Sequence, residues 1–114
     1  NGIQLDGFVK DIMDLEPIID KWRSFDWNVI NLNGHDIPAL QKAFADAAAM
    51  KGKPTVLIAH TIKGKGVSFM ENNPKFHGVA PTQVEEPRAL AELVLAEEGE
   101  GKKSRREKKK FELR

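Results

Sequence analysis

Oxygen-bearing side chains lie in the first turn of the sequence. Asn1 and Asp6 belong to the run Asn-Gly-Ile-Gln-Leu-Asp-Gly of residues 1–7. Amide and carboxylate oxygens suit a hard cation such as Mg²⁺, which commonly bridges a protein to phosphate. Asparagine and aspartate are also frequent turn formers, because they tolerate positive φ and hydrogen-bond to nearby backbone. On residue type alone, turn formation is the stronger interpretation.

A second candidate is the run Lys63-Gly64-Lys65-Gly66, which follows an apolar stretch. Glycine lets the backbone approach a ligand closely, and ammonium groups can bind phosphate. The run lacks the spacing of glycine, lysine and hydroxyl residues that defines a P-loop. A flexible solvated loop is therefore the stronger interpretation on these residues alone.

Three histidines, His35, His60 and His77, are the only ones in the sequence. They are too scattered to indicate a metal site by their spacing, and each alone is more often a hydrogen-bonded structural residue. His77 is the best candidate of the three, because it lies in a long aperiodic segment and precedes Gly78. A histidine in such a loop can donate to a phosphate or move a proton near neutral pH.

The elements that must position these residues follow from the pattern of apolar and turn residues. It predicts a turn at residues 1–7, helices at 13–25, 37–51 and 87–98, strands at 28–32 and 54–60, and a long loop at 61–81. A loop of that length inside a compact domain is usually functional or disordered. Asn33-Gly34 is predicted to be a turn, and Asp14 and Asp36 are predicted to cap the first two helices.

Apolar residues at helical spacing predict the buried face of each helix. These are Ile18, Ile19, Trp22 and Phe25 in the first helix, Leu40, Phe44, Ala47 and Ala48 in the second, and Leu90, Leu93 and Val94 in the third.

The alternation of helices and strands predicts an α/β fold with parallel strands joined by right-handed crossovers. Ligands of such sheets bind at the carboxyl ends of the strands. We therefore expect the Asn1 turn, the Asn33-Gly34 turn and the loop from Thr61 to lie at that edge. Two strands do not form a stable sheet alone. Because the sequence opens with Asn1 rather than Met, we expect this chain to be the downstream part of something longer.

Composition narrows the class of protein. Hydrophobic residues make up 40% of the chain and charged residues 31%, which is typical of a folded globular domain. The formal net charge of +1 gives no general case for binding nucleic acid or a membrane surface. There is no cysteine, which excludes disulfides and cysteine zinc sites. With no long apolar run and no leader pattern visible, a cytoplasmic enzyme or module is the default expectation.

Three stretches together resemble the thiamine-diphosphate-binding domain of transketolases. They are NGIQLDG at residues 1–7, GHD at 34–36 and HTIKGKGVSFMENNPKFHG at 60–78. The last stretch is most similar to the amino-terminal subunit of transketolases split between two genes. The resemblance implies a three-layer αβα fold with a parallel sheet, of which residues 1–98 would be the C-terminal part.

The resemblance also implies roles for particular residues. Asn1 matches the asparagine that gives a side-chain oxygen to Mg²⁺ or Ca²⁺, and Ile3 matches the residue whose backbone carbonyl is another metal ligand. His77 matches the loop histidine that contacts the diphosphate of thiamine diphosphate and faces the substrate channel. The implied reaction is the transfer of a two-carbon ketol unit between phosphosugars, as in the pentose phosphate pathway.

Parts of the family pattern are missing from the 114 residues. The Gly-Asp-Gly half of the metal motif does not occur, and neither does the pyrimidine-binding domain with its activating glutamate. The resemblance thus implies that activity needs the rest of the cofactor-binding domain and a partner subunit, in a hetero-oligomer or a dimer of dimers.

Two alternatives remain open from the sequence. Deoxyxylulose-phosphate synthase carries a related Lys-Gly-Lys-Gly loop and histidine, so a component of that enzyme is the nearest competitor. A non-catalytic interaction module of the same fold is the other, because Gly-Asp-Gly is missing. Residues 99–114 are rich in Lys, Arg and Glu and are predicted to be a solvated tail. A second interpretation of this tail is that it docks to a partner subunit.

Overall fold

The computed structural model describes residues 1–95, which belong to two compact units, Asn1–Ile62 and a second unit that begins at Lys63. Each unit is described by itself. The predicted domain boundary at residue 98 and the charged tail at 99–114 lie outside the described residues.

The first unit opens with a hairpin. Strand β1 (Ile3–Gln4) pairs antiparallel with β2 (Gly7–Phe8), and Leu5 adopts a positive φ of 51° in the turn between them. The predicted turn is thus present, flanked by two short strands. A four-residue helix that the sequence did not predict, α1 (Val9–Ile12), follows β2 directly.

Helix α2 (Ile18–Ser24) is shorter than the predicted helix at 13–25. The residue before a proline is disfavoured in helical conformation, so Pro17 delays the start of the helix. The predicted cap is wrong as well, since Asp14 accepts the Glu16 N–H while the Glu16 carboxylate accepts the Ile18 N–H. Phe25, predicted to be buried, lies just beyond the helix and is 75% exposed.

Strands β3 (Asn28–Asn33) and β4 (Thr55–His60) form a parallel pair, with helix α3 (Ile37–Ala49) connecting them. The parallel pairing and the helical crossover confirm the α/β prediction for these residues. The Asp36 carboxylate accepts the Ala39 N–H at 2.9 Å, which confirms the predicted cap of α3. The predicted face of α3 is partly wrong, because Phe44 is exposed and the buried residue is its neighbour Ala43.

The second unit begins with a loop that contains several turns and a 3-10 helix (Pro74–Phe76). Helix α4, described over residues 85–95, starts two residues before its predicted start at 87. Its predicted buried face is wrong: Leu90 and Val94 are each 55% exposed, whereas Ala89 is buried. Periodicity locates the apolar side of a helix but not what covers it, and among residues 1–95 this side of α4 is left largely exposed.

The buried core of the described residues is small. Only Ala43, Val67 and Ala89 are buried, and no large side chain in residues 1–95 is fully buried. The described residues form a mixed α/β structure with a parallel strand pair. The full three-layer arrangement stays a prediction. No helix in this part of the chain is long and apolar enough to cross a membrane.

Candidate functional site

The hairpin at the start of the chain brings two of the predicted site residues together. The side-chain oxygen of Asn1 accepts a hydrogen bond from the Ile3 backbone N–H at 3.0 Å. Asn1 is therefore a turn former, as its residue type predicts. A carbonyl oxygen has two lone pairs, so this hydrogen bond leaves Asn1 Oδ1 able to accept another donor or a cation.

The strand register shows where the Ile3 carbonyl points. Gln4 pairs with Gly7 across the turn, Ile3 pairs with Phe8, and the Val9 N–H donates to the Gly2 carbonyl at 2.9 Å. Hydrogen-bonded and non-hydrogen-bonded pairs alternate along an antiparallel ladder. Ile3 is the non-hydrogen-bonded position, so its N–H and C=O both face away from β2. The Ile3 carbonyl thus lies on the same edge of the hairpin as the Asn1 oxygen.

Asp6, the other oxygen donor in this segment, sits in the turn at the opposite end of the hairpin from Asn1. The hairpin does not bring these two residues together. Across residues 1–95, no three His, Cys, Asp or Glu side chains form a cluster suited to a metal ion. The oxygen atoms on the Asn1 edge of the hairpin are the Asn1 amide oxygen and the Ile3 backbone carbonyl.

The carboxyl edge of the parallel pair is formed as predicted. Asn33 is in register with His60, and the Gly34 N–H donates to the His60 carbonyl at 2.7 Å. A Cβ at Gly34 would lie 2.6 Å from Cγ2 of Thr61, so any larger residue here would force the Thr61 side chain to shift. The Asn33-Gly34 turn and the segment from Thr61 share this edge, whereas a location of the Asn1 turn there stays a prediction.

Two histidines at this edge have structural hydrogen bonds. Nε2 of His35 accepts the Ile62 N–H at 2.7 Å. Nε2 of His60 is hydrogen-bonded to the Asn31 side-chain oxygen, an arrangement in which the ring nitrogen donates. These bonds agree with the structural interpretation of both histidines.

The lysine–glycine run is a compact turn rather than a loose loop. The Asn72 N–H donates to the Lys63 carbonyl at 2.9 Å, which closes the segment on itself. The Glu71 carboxylate accepts the Gly66 N–H at 3.0 Å and pairs with the Lys65 ammonium at 3.3 Å. Within the described part of the chain, the Lys63 ammonium has no such partner. Lys63 is thus the better placed of the two lysines for an external anion.

His77 lies at the end of the 3-10 helix and is exposed. Its backbone N–H donates to the Pro74 carbonyl at 2.9 Å, and Gly78 follows it with φ of +76°. The imidazole has no hydrogen-bond or ion-pair partner among residues 1–95. The backbone of His77 is thus held while its side chain is exposed. His77 belongs to the second unit, and Asn1 and Ile3 to the first.

Two glutamates of α4 make contacts that the sequence reasoning missed. The Glu92 carboxylate accepts both the N–H and the hydroxyl of Ser68, and these two bonds lower the pKa of Glu92, the backbone bond most. Bonds from the Thr82 N–H and hydroxyl lower the pKa of Glu85 in the same way. Threonine followed three residues later by glutamate is a capping-box signature, so the Glu85 contact was readable in the sequence. The Ser68–Glu92 pair, 24 residues apart, gives no such signal.

Comparison with known proteins places the chain in a family. Residues 1–94 match the family described as transketolase, thiamine diphosphate binding domain. A 6-deoxy-6-sulfo-D-fructose transketolase subunit, SqwG, from Clostridium sp. (strain MSTE9) is 40% identical over 93 residues, which are 82% of this chain and 34% of that protein. One subunit of an apulose-4-phosphate transketolase from Phocaeicola vulgatus is 37% identical over 93 residues, 82% of this chain and 33% of that protein.

The likeness extends to animal proteins over a shorter stretch. Transketolase-like protein 2 of Homo sapiens is 38% identical over 71 residues, 62% of this chain and 11% of that protein. The chain spans about a third of the length of the two bacterial subunits, 34% and 33%. On the match over residues 1–94, the chain belongs to the transketolase family, in its thiamine-diphosphate-binding domain.

Proposed function

We propose that this chain contributes part of the metal–diphosphate site of a transketolase that transfers a two-carbon ketol unit between phosphosugars. The observation that carries the proposal is the shared edge of the hairpin, where the Asn1 side-chain oxygen and the outward-facing Ile3 carbonyl lie together. Family membership supplies the context in which two adjacent oxygen donors favour a metal site.

The donors on this edge suit Mg²⁺ or Ca²⁺. Both are hard cations that take oxygen ligands, and Mg²⁺ in particular retains water and binds substrate phosphates in addition to a few protein oxygens. Asn1 and Ile3 would supply two oxygens, and the diphosphate, water and other parts of the enzyme would supply the rest. Asn1 is exposed and Ile3 half-buried, so the hairpin edge is accessible to such a ligand.

Thiamine diphosphate supplies the carbanion chemistry when it is bound, and the protein binds and orients it. In this proposal Asn1 and Ile3 fix the diphosphate end through the metal ion. The exposed imidazole of His77 donates a hydrogen bond to the diphosphate or to the sugar. Its lack of a partner in residues 1–95 supports a role toward a ligand rather than a role in holding the loop.

The proposed assembly contains more than this chain. The two bacterial relatives named above are subunits of transketolases, which supports a hetero-oligomeric enzyme. We propose that the rest of the cofactor-binding domain supplies the remaining metal ligands. A second subunit would contribute the pyrimidine-binding domain and its activating glutamate.

A product assay on the assembled enzyme tests this function. The enzyme is incubated with thiamine diphosphate, Mg²⁺ and either a ketose phosphate donor with an aldose phosphate acceptor, or pyruvate with glyceraldehyde phosphate. Ketol transfer in the first mixture alone supports the proposal. Condensation of pyruvate in the second would instead identify a deoxyxylulose-phosphate synthase. Turnover in neither, for a preparation that binds cofactor stoichiometrically, would contradict both activities and favour a non-catalytic module.

A further inference from the structure

We propose that Glu92 is a positioning residue, which holds the segment of residues 66–77 in the conformation that presents His77. The importance of His77 in this inference rests on the proposed function. The claim that Glu92 holds residues 66–77 does not depend on that function. Glu92 is on helix α4, and His77 is at the far end of the segment, so the effect must pass through the residues between them.

The first step is the contact between Glu92 and Ser68. Oε1 of Glu92 accepts the Ser68 hydroxyl at 2.8 Å, and Oε2 accepts the Ser68 backbone N–H. Both oxygens of one carboxylate are thus used on one residue. A bidentate, charge-assisted arrangement fixes orientation as well as distance. The backbone N–H is part of the pair, so the contact fixes the main chain of the segment and not only a side chain.

Two further contacts from the same helix reinforce this one. Arg88, one helical turn before Glu92, places its guanidinium 5.1 Å from the ring centre of Phe69, the residue after Ser68. A Cβ added at Gly66 would lie 3.2 Å from Cδ2 of Leu93, so this leucine already closely approaches the segment. Positions 88 and 92 lie on one face of a helix. Arg88 and Glu92 on this face, together with the adjacent Leu93, therefore approach three nearby positions of the segment.

The second step leads from Phe69 to His77. The ring centres of Phe69 and Phe76 are 5.8 Å apart, and the Asn73 side-chain amide donates to the Phe69 carbonyl at 3.1 Å. Asn73 caps the 3-10 helix by accepting the Lys75 N–H at 3.1 Å. His77 follows Phe76 directly. Since its imidazole has no partner among residues 1–95, the direction of that side chain depends on how the backbone before it is held.

The test compares Glu92→Gln with Glu86→Gln in the native assembly that contains this chain. Both variants remove one negative charge from α4, but the Glu86 side chain is exposed and has no partner within residues 1–95. The neutral glutamine amide has one acceptor oxygen in place of two charged ones, so it cannot reproduce the bidentate, charge-assisted contact with Ser68. We measure amide exchange at Ser68, the imidazole NMR resonance of His77 and kcat/KM for ketol transfer.

For Glu92→Gln we expect Ser68 exchange to rise about tenfold, the size expected for one lost charge-assisted bond. We also expect a shifted or broadened His77 resonance and a fall in kcat/KM. The Glu86→Gln variant should match the wild type in all three. Ser68→Ala, which keeps the backbone N–H, should show smaller changes in the same direction. Its effects should not add to those of Glu92→Gln, because both changes act on one contact.

Two results would overturn the inference. One is unchanged Ser68 exchange in Glu92→Gln, which would mean that the contact contributes nothing in solution. The other is faster Ser68 exchange with an unaltered His77 resonance, which would confine the contact to its own turn. If the His77 resonance moves while His77→Ala retains full activity, the positioning by Glu92 stands and the proposed role of His77 fails. Should Glu92→Gln not fold, Ser68→Ala decides by the same criteria.

Discussion

The backbone N–H of Ile62 donates a hydrogen bond to Nε2 of His35, with a donor–acceptor distance of 2.7 Å. This bond connects the turn after β3 to the segment after β4, beside the bond from the Gly34 N–H to the His60 carbonyl. The two bonds hold both turns together at the carboxyl edge of the parallel pair. Ile62 lies beyond the end of β4, where no strand carbonyl of residues 1–95 pairs with its N–H. The His35 side chain accepts this hydrogen bond instead.

We expect His35→Ala to destabilise this edge by about 0.5–1.5 kcal/mol, because the half-buried Ile62 N–H loses its acceptor. Amide hydrogen exchange at Ile62 should accelerate accordingly. The Gly34 amide is the internal control, since its bond to the His60 carbonyl does not involve the imidazole. Equal exchange at Ile62 in the variant and the wild type would show that the hydrogen bond is not formed in solution.

Asn1→Ala should weaken metal and cofactor binding together in the assembled enzyme. A metal that bridges the protein to the diphosphate couples the two affinities, so the loss of one oxygen ligand lowers both. The measurement is a calorimetric titration with thiamine diphosphate at fixed Mg²⁺. Gln4→Ala, in the same hairpin, is the matched control. Wild-type affinity in Asn1→Ala would leave Asn1 as a turn residue alone, the role that its bond to Ile3 already gives it.

The fold of the first unit was largely predictable from local signals. Asp36 before an alanine-rich run predicted α3, and the apolar run after Pro54 predicted β4. The errors have physical causes. Pro17 cut the first helix short, and α1 is only one turn long, too short to show helical periodicity. The buried faces were misassigned because periodicity identifies an apolar side of a helix but does not identify what covers it. Phe44 lies exposed while Ala43 is buried.

His77→Ala should lower kcat/KM by more than it lowers stability. A lost charge-assisted hydrogen bond to the diphosphate or the sugar corresponds to about 1.5–3 kcal/mol, roughly a tenfold to hundredfold effect. The Tm should stay close to the wild-type value, because the imidazole has no partner in the described part of the chain. Activity and Tm are measured on the same preparation. Normal turnover with a reduced Tm would mean that His77 only holds the loop.

The candidate site was less predictable than the fold. Residue type indicated that Asn1 forms a turn, but the outward direction of the Ile3 carbonyl follows only from the strand register. Its place in a long aperiodic segment made His77 the best candidate among the histidines, and the resemblance, rather than any spacing, supplied its role. The internal contacts of residues 63–72 were missed because glycine and lysine suggest flexibility. In the structure, Glu71 and the Lys63 carbonyl satisfy the backbone of that turn.

Acid should loosen the start of α4. Hydrogen bonds from the Thr82 N–H and hydroxyl lower the pKa of Glu85 below its ordinary value. A carboxyl group with a depressed folded pKa stabilises the fold above its unfolded pKa, and this contribution is lost as the pH falls through the folded pKa. We therefore expect Thr82 amide exchange, corrected for its intrinsic pH dependence, to rise below the ordinary carboxyl range.

Thr82→Val tests the cause of that shift. Valine removes the hydroxyl and retains the backbone N–H, which is the larger of the two contributions. The pKa of Glu85, followed by carboxyl NMR, should rise part of the way toward its ordinary value. The pKa of Glu92, lowered by Ser68 instead, should stay where it is and serves as the control. An unaltered pKa of Glu85 in Thr82→Val would show that the Thr82 hydroxyl bond does not contribute to the lowering.

Gly64→Ala should disrupt the lysine–glycine turn far more than an ordinary glycine replacement. Gly64 has φ of +72°, and a Cβ there would lie 2.5 Å from the Met70 carbonyl oxygen. Gly52→Ala is the matched control, because Gly52 has φ of +88° and no atom within 4 Å of the added Cβ. Both variants carry the cost of a left-handed alanine, about 1–2 kcal/mol.

The difference between these two variants isolates the clash. Backbone atoms of Met70 cannot rotate away as a side-chain tip can, so Gly64→Ala should cost about 1–3 kcal/mol more, the range for overpacking. The Asn72 N–H bonds to the Lys63 carbonyl only while the turn is closed, so its amide exchange reports on this opening. Exchange at Asn72 should accelerate in Gly64→Ala and stay at the wild-type rate in Gly52→Ala. Equal losses of Tm in the two variants, with the Asn72 amide still protected in both, would contradict this prediction. The turn would then accommodate the added Cβ without further loss of stability, and its closure would not depend on glycine at position 64.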